Sequence, residues 1–141
     1  MPDTSAERPI PFRSPGGLDL SGLDVLVIEN DTDNRDVFSV FLHSCGANVM
    51  TAETADAALE WVGRRHIDAI ITDVSVLRRS GICESLSRIR GMPQYKDTPI
   101  IAVTGWAQKH LPEAAEFTAF IQKPVDLDKL AMTIRQLVEP A

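Results

Sequence analysis

Four short apolar segments of this sequence are each followed by, or end in, side chains that could do chemistry. In chain order these side chains are Glu29-Asn30-Asp31, Asp73, Thr104 and Lys123. Carboxylate and amide oxygens suit a hard cation such as Mg²⁺, which takes one or two carboxylates together with a phosphate. A hydroxyl and an ammonium nearby suit the remaining oxygens of a phosphoryl group. A carboxylate can itself be the nucleophile, which would give an aspartyl phosphate.

Asp73 is the first candidate for this chemistry. It ends the segment 68–73, whose interior is apolar and rich in Ile, as in the buried strands of a parallel sheet. In open α/β sheets the ligand crevice lies at the carboxyl ends of the strands, where Asp73 would sit. The alternative is that Asp73 only caps the loop that follows.

The elements that must position these side chains alternate along the chain. We predict strands over residues 25–28, 48–52, 68–73, 99–103 and 119–122. Between and after them we predict five helices, of which the fourth, over residues 112–117, is short. The first helix is capped by Asp31 or Thr32 and runs to Cys45, before Gly46. Thr54 caps the second helix and Asp126 the last. Right-handed crossovers would then give a doubly wound parallel sheet.

Four of the predicted helices carry an apolar stripe that should face the sheet. The stripes are Val37, Phe38, Phe41, Leu42 and Cys45; Ala55, Ala58, Leu59 and Val62; Ile82, Leu86 and Ile89; and Leu127, Leu130, Ile134 and Leu137.

Composition narrows the possible functions. A chain of 141 residues is long enough for one domain with a core, and its formal charge of −6 argues against a general nucleic-acid or membrane-surface binder. No apolar run approaches a membrane span, and residues 1–21 lack an apolar signal core. Cys45 and Cys83 are isolated, so we expect reduced core thiols in a cytoplasmic protein. Cys and His residues are too scattered for a metal site, and no glycine-rich phosphate loop follows the first strand.

The strand ends carry a resemblance to a known family. Val-Ile-Glu-Asn-Asp, Ile-Ile-Thr-Asp, Val-Thr-Gly and Gln-Lys-Pro occur in that order, and together they resemble the receiver domain (CheY-like) of two-component response regulators. The resemblance covers residues 23–138, after an arm at 1–22 that contains four prolines and Gly16-Gly17, and before a tail at 139–141. It implies a flavodoxin-like α/β fold, a five-stranded parallel sheet of order 2-1-3-4-5 with five helices.

The resemblance also implies roles for single residues. Asp73 would be the phosphoacceptor, Thr104 and Phe120 the switch pair, and Lys123 the phosphate-binding lysine, with a cis bond before Pro124. The implied ligands of Mg²⁺ are Glu29, Asn30, Asp73 and Ser75, and the rim of the site holds Asp31 and Trp106. The alternative readings are a turn residue for Thr104, a core aromatic for Phe120 and a surface aromatic for Trp106.

The sequence departs from the family pattern in three places. Asn30 replaces the second acid of the metal-binding pair, which should weaken the affinity for the metal because an amide carries no net charge. The loop after Asp73 carries Arg78-Arg79, which more often form a solvated face than a clamp. The segment between Thr104 and Lys123 is about three residues shorter than usual for the family, as judged from the resemblance, so the fourth helix should be clipped.

The function implied is that of a single-domain response regulator that accepts a phosphoryl group from a sensor histidine kinase or a phosphotransfer protein. Such a phosphoacceptor catalyses its own phosphorylation and dephosphorylation, unlike a conventional enzyme, and signals to a downstream protein target by protein–protein contacts. The alternative is a pseudo-receiver that binds partners without phosphorylation; a small hydrolase lacks the required Ser and His. We also predict a symmetric homodimer through the fourth helix, fifth strand and fifth helix, with a monomer as the alternative.

Overall fold

A five-stranded parallel sheet forms the centre of the molecule in this computed structural model, which describes residues 19–73, 82–105 and 117–138. The strands are β1 (Asp24–Ile28), β2 (Asn48–Ala52), β3 (Ala69–Asp73), β4 (Ile100–Thr104) and β5 (Ala119–Gln122). Their order is β2-β1-β3-β4-β5, and every neighbouring pair is parallel. The predicted flavodoxin-like sheet is therefore confirmed.

The central strands are buried on both faces, which explains their unbroken apolar sequences. Every residue of β3 and of β4 is buried. β3 begins at Ala69, one residue later than predicted, and the Asp68 carboxylate just before it accepts a hydrogen bond from the Asp24 N–H at 2.8 Å. β4 extends to Thr104, one residue further than predicted, so Thr104 is a strand residue and not a turn residue.

Four α-helices occur in the described residues. They are α1 (Thr32–Ser44), α2 (Ala55–Arg64), α3 (Ile82–Arg90) and α4 (Leu127–Val138), and none of these described helices is long and apolar enough to cross a membrane. A 3-10 turn at Pro93–Tyr95 was not predicted. The predicted short helix at 112–117 lies outside the described residues except for Phe117, which is not helical.

The sheet separates two apolar layers. Val25 and Val27 of β1 face the layer formed with α1 and α4, whereas Leu26 and Ile28 face the layer formed with α2 and α3. This alternation follows from the two-residue period of a strand. Each layer packs one pair of helices against a face of the sheet. The strand ends and the loops that follow them meet at the carboxyl edge, which these helices do not cover.

The predicted inner face of α1 is wrong at one position. Phe38, Phe41, Leu42 and Cys45 are buried, but the side chain of Val37 is 51% exposed. Val37 lies at one edge of this stripe, about 140° from Leu42 around the helix axis, and the contact with the sheet leaves that edge uncovered. On the other helices Leu59, Leu127 and Leu137 pack only partly buried against the core, and the side chains of Ala55 and Ile82 lie outside the description.

The folded domain begins before the predicted arm ends. Leu20 is fully buried in the layer beneath α1 and α4, and its N–H donates to the Cys45 carbonyl at 2.8 Å. Gly46 has a φ of 101°, and a Cβ there would lie 2.6 Å from the Ser21 hydroxyl. Only glycine fits at this close approach. The arm predicted at residues 1–22 therefore overlaps the core at Leu20, and the other domain boundaries stay predictions.

Candidate functional site

The carboxyl edge of the sheet gathers the acids and the cation that the strand ends supply. Glu29 follows β1, Asp73 ends β3, Thr104 ends β4, and the side chains of all three are only 2% exposed. Lys123 follows β5, and its side chain is 39% exposed. Residues that are up to 94 positions apart thus share one crevice because parallel strands place their carboxyl ends side by side.

Lys123 and Asp73 form the central ion pair of this crevice. The Nζ of Lys123 lies 2.6 Å from Oδ2 of Asp73. The backbone of Lys123 is held by its own N–H, which donates to the Thr104 carbonyl at 2.7 Å, and the peptide bond to Pro124 is cis, as the resemblance implied. A buried carboxylate is costly unless a cation compensates it, and Lys123 supplies that cation.

Glu29 is the second buried acid of the crevice. Its Oε2 accepts the Asp31 N–H at 3.0 Å, while its Oε1 is buried and has no hydrogen-bond partner in the described part of the chain. Burial, together with the neighbouring Asp73 carboxylate, raises the pKa of Glu29 to about 7, against the opposing effects of the Asp31 N–H and of Lys123. Two carboxylates side by side raise the pKa in this way because their charges repel.

These two carboxylates fit the predicted cation. An unpartnered buried oxygen of Glu29 beside the Asp73 carboxylate is a donor set suited to Mg²⁺. Across residues 19–73, 82–105 and 117–138, however, no group of three or more Asp, Glu, His or Cys side chains could hold a metal ion. Asn30 is exposed, and Ser75 lies outside the described residues. The described side chains thus offer a cation two negative charges, one fewer than an aspartate at position 30 would allow.

Asp31 caps a helix, unlike Glu29 and Asn30 before it. Its Oδ2 accepts the Asn34 N–H at 2.9 Å, so it is the N-cap of α1. Arg35, one turn along α1, reaches back and donates through Nη1 to the Glu29 carbonyl at 2.9 Å. This role of Arg35 was not predicted, because a contact with a backbone carbonyl has no signature in residue types.

The two residues assigned to the switch lie on neighbouring strands. Thr104 is buried at the end of β4 and pairs in register with Gln122 of β5. Phe120 of β5 is half-buried, and its ring meets that of Phe117 edge to face, with centroids 5.5 Å apart. Trp106, Arg78 and Arg79 lie outside the described residues.

A parallel sheet of this order with acids and a lysine in its carboxyl-edge crevice defines the class of flavodoxin-like α/β proteins. Within this class, the family model for the response regulator receiver domain matches residues 25–135. The chain therefore belongs to the response regulator receiver domain family of two-component signalling.

Two proteins of other organisms are similar to this chain in sequence. The chain is 32% identical over 120 residues to an uncharacterized 14.6 kDa protein in the sodA1 3' region of Leptolyngbya boryana, covering 83% of this chain and 91% of that protein. It is 33% identical over 120 residues to the two-component response regulator-like protein PRR73 of Oryza sativa subsp. indica. That match covers 80% of this chain but only 15% of the rice protein.

Solved structures give the same fold. The chemotaxis response regulator CheY4 of Vibrio cholerae superposes with a TM-score of 0.73 at 28% identity, covering 82% of this chain and 98% of CheY4. The receiver domain of the sensor histidine kinase PA1611 from Pseudomonas aeruginosa PAO1 has a TM-score of 0.75 at 22% identity, covering 85% of this chain and all of that domain. Its structure has a magnesium ion coordinated in the active site cleft.

Proposed function

We propose that this chain accepts a phosphoryl group on Asp73 from a sensor histidine kinase or a phosphotransfer protein. The observation that carries the proposal is the buried Asp73 carboxylate at the end of β3, with the Lys123 ammonium 2.6 Å away. Membership of the receiver family supports the same assignment.

The transfer needs a nucleophile and fixed positive charge, and this crevice supplies both. An oxygen of the Asp73 carboxylate attacks the phosphorus of a phosphohistidine in line, an oxygen–phosphorus bond forms, and the phosphorus–nitrogen bond breaks. The imidazole of the donor leaves with that electron pair. The Lys123 ammonium and the Thr104 hydroxyl then bind oxygens of the transferred group.

A divalent cation belongs to the same proposal. Glu29 and Asp73 would hold Mg²⁺, with the amide oxygen of Asn30 and with Ser75 as the further implied ligands. When bound, the cation neutralises charge on the phosphoryl oxygens. The magnesium in the similar receiver domain from Pseudomonas aeruginosa supports this assignment.

The output of this chain would be a change in protein–protein contacts. Thr104 and Phe120, on adjacent strands, are the proposed pair that couples the phosphoryl group to the surface around β4, β5 and α4. The downstream partner would be a protein that reads this surface, and a homodimer through it belongs to the same proposal.

Incubation with a small acyl phosphate donor and Mg²⁺ tests the proposal. We expect one phosphoryl group per chain by intact mass, and none in Asp73→Asn. The matched control is Asp68→Asn, which alters the residue before the same strand at the opposite edge of the sheet. Equal uptake by the wild type and Asp73→Asn would contradict the assignment.

A second candidate is a receiver that binds its partner without phosphorylation. Asn30, which leaves the crevice with only two acids in the described residues, favours it. In that case no uptake would occur at any Mg²⁺ concentration, and Asp73→Asn would bind the partner as well as the wild type does.

A further inference from the structure

An open apolar groove lies between α1 and the beginning of α4. Its volume is about 620 Å³, and its lining is Asp36, Val37, Val40, Phe41, Ser44 and Leu127. Val37 and Val40 are 51% and 70% exposed, the largest exposures among the big apolar side chains of the described residues. Exposed valines side by side on one helix mark a surface suited to an apolar ligand or segment.

The described chain begins at one end of this groove. The Leu20 N–H donates to the carbonyl of Cys45, the residue directly after Ser44 of the groove. An Nη1 of Arg135, in the last turn of α4, donates to the Asp19 carbonyl. Residues 1–18 therefore join the folded domain between the ends of the two helices that form the groove.

Residues 1–18 contain apolar side chains and an arginine that would complement the apolar lining and the carboxylate of the groove. Ile10 and Phe12 are separated by Pro11, and a residue before a proline favours an extended backbone. In an extended segment Ile10 and Phe12 face the same side. Arg13 follows directly, which complements the carboxylate of Asp36 in the groove lining.

The length of the segment is sufficient for this contact. From Asp19 to Phe12 the chain can span at most about 23 Å, whereas Ser44 and Val37 are separated by only about 10 Å along the helix. Gly16-Gly17 would allow the reversal of direction that such a contact needs, because glycine can adopt turn conformations closed to other residues.

We propose that residues 9–13 of this chain dock in its own α1–α4 groove, with Ile10 and Phe12 against Val37 and Val40. Tethering raises the effective concentration of the segment to about the millimolar range, which favours the same chain over a second copy. Val37 and Leu127 also line an adjacent hollow that contains Lys123 and Pro124, so the docked segment would border the phosphoacceptor crevice.

Methyl NMR of the full chain tests this docking. We expect nuclear Overhauser effects between the Phe12 ring and the Val40 methyl groups, with intensities independent of protein concentration. Phe12→Ala should shift the Val37 and Val40 methyl signals, because the ring current is lost. Thr4→Ala, before residues 9–13 in the chain, is the control and should leave these signals in place.

A variant on the groove side tests the contact independently of the segment. Val40→Asp should abolish the contacts between the Phe12 ring and the Val37 methyl groups, whereas Met132→Asp, at an exposed apolar residue of α4, should keep them. Absence of the Phe12 contacts in the wild type would overturn the proposal. Contacts that grow with concentration would assign the groove to a second copy and would equally overturn it.

Discussion

At the scale of single residues, Asn30 and its neighbours decide how strongly the crevice attracts a cation. When Glu29 is ionised, the described residues of the crevice offer two buried carboxylates and one ammonium, a net charge of −1. We predict that Asn30→Asp binds Mg²⁺ about tenfold more tightly, equivalent to about 1.4 kcal/mol, because a third carboxylate joins the site. Calorimetric titration measures the change, with Asn34→Asp as a control that adds the same charge on the exposed first turn of α1. Equal or weaker binding by Asn30→Asp would show that the amide is not the limiting ligand.

Glu29 should make the stability of the metal-free protein depend on pH. Its pKa in the folded protein is about 7, raised mainly by burial from an ordinary 4.5. A raised pKa favours the protonated form in the folded state, so this stabilisation is complete below about pH 4.5 and is lost as the pH rises through 7. Between low and high pH, the wild type should lose roughly 1 to 3 kcal/mol of its free energy of unfolding through Glu29. We predict that Glu29→Gln removes this loss.

Urea unfolding in the presence of a chelator, at pH 5 and pH 8, measures this effect. Glu29→Gln should be more stable than the wild type at pH 8, and its advantage at pH 5 should be smaller. Glu60→Gln, at an exposed position of α2, should follow the wild type at both values. A constant difference between Glu29→Gln and the wild type at the two pH values would contradict the raised pKa.

The residues of the crevice differ in how far the sequence could predict them. Asp73, Glu29 and Lys123 were predictable because each follows directly after or ends an apolar segment, and parallel strands bring such positions together. The unpartnered oxygen of Glu29 and the contact of Arg35 with the Glu29 carbonyl were not. Both features depend on how the loop after β1 is oriented relative to α1. The residue types of that loop and helix do not determine this orientation.

At the scale of elements, Asp31 stabilises the beginning of α1 as its N-cap. Its carboxylate accepts the Asn34 N–H at 2.9 Å and so begins α1. We predict that Asp31→Ala lowers the free energy of unfolding by about 1 kcal/mol, whereas Asp31→Ser, which can still cap, loses only a fraction of that. Thermal or urea unfolding of both variants measures the difference. Equal losses in both would mean that capping is not what Asp31 contributes.

The elements themselves were mostly predictable, and the exceptions have physical reasons. The order of strands and helices follows from alternating short apolar runs and three-and-four spacings. Val37 was misplaced because it lies at the edge of the apolar stripe of α1, about 140° around the axis from Leu42, and an apolar side chain at such an edge can face either the sheet or solvent. The turn at Pro93–Tyr95 was missed because it depends on Tyr95, whose hydroxyl donates to the distant Arg65 carbonyl at 2.6 Å.

At the scale of the whole molecule, the surface around β5 is where we expect self-association. β5 is an edge strand, and its Ala119 and Phe120 are only half-buried. We predict a symmetric homodimer that uses this surface, and light scattering on the full chain measures its mass. A chain that starts at Asp19, which keeps the buried Leu20, should still be a dimer. A monomeric full chain at high concentration would reject the dimer.

One measurement directly locates the phosphoryl group that we propose Asp73 to carry. After treatment with an acyl phosphate donor and Mg²⁺, borohydride reduces an aspartyl phosphate to homoserine, which peptide mass spectrometry assigns to a position. We predict homoserine at Asp73, dependent on the donor, and none at Asp31 or Asp68. Homoserine at another aspartate, or at none while the mass of the intact protein shows phosphorylation, would contradict the account.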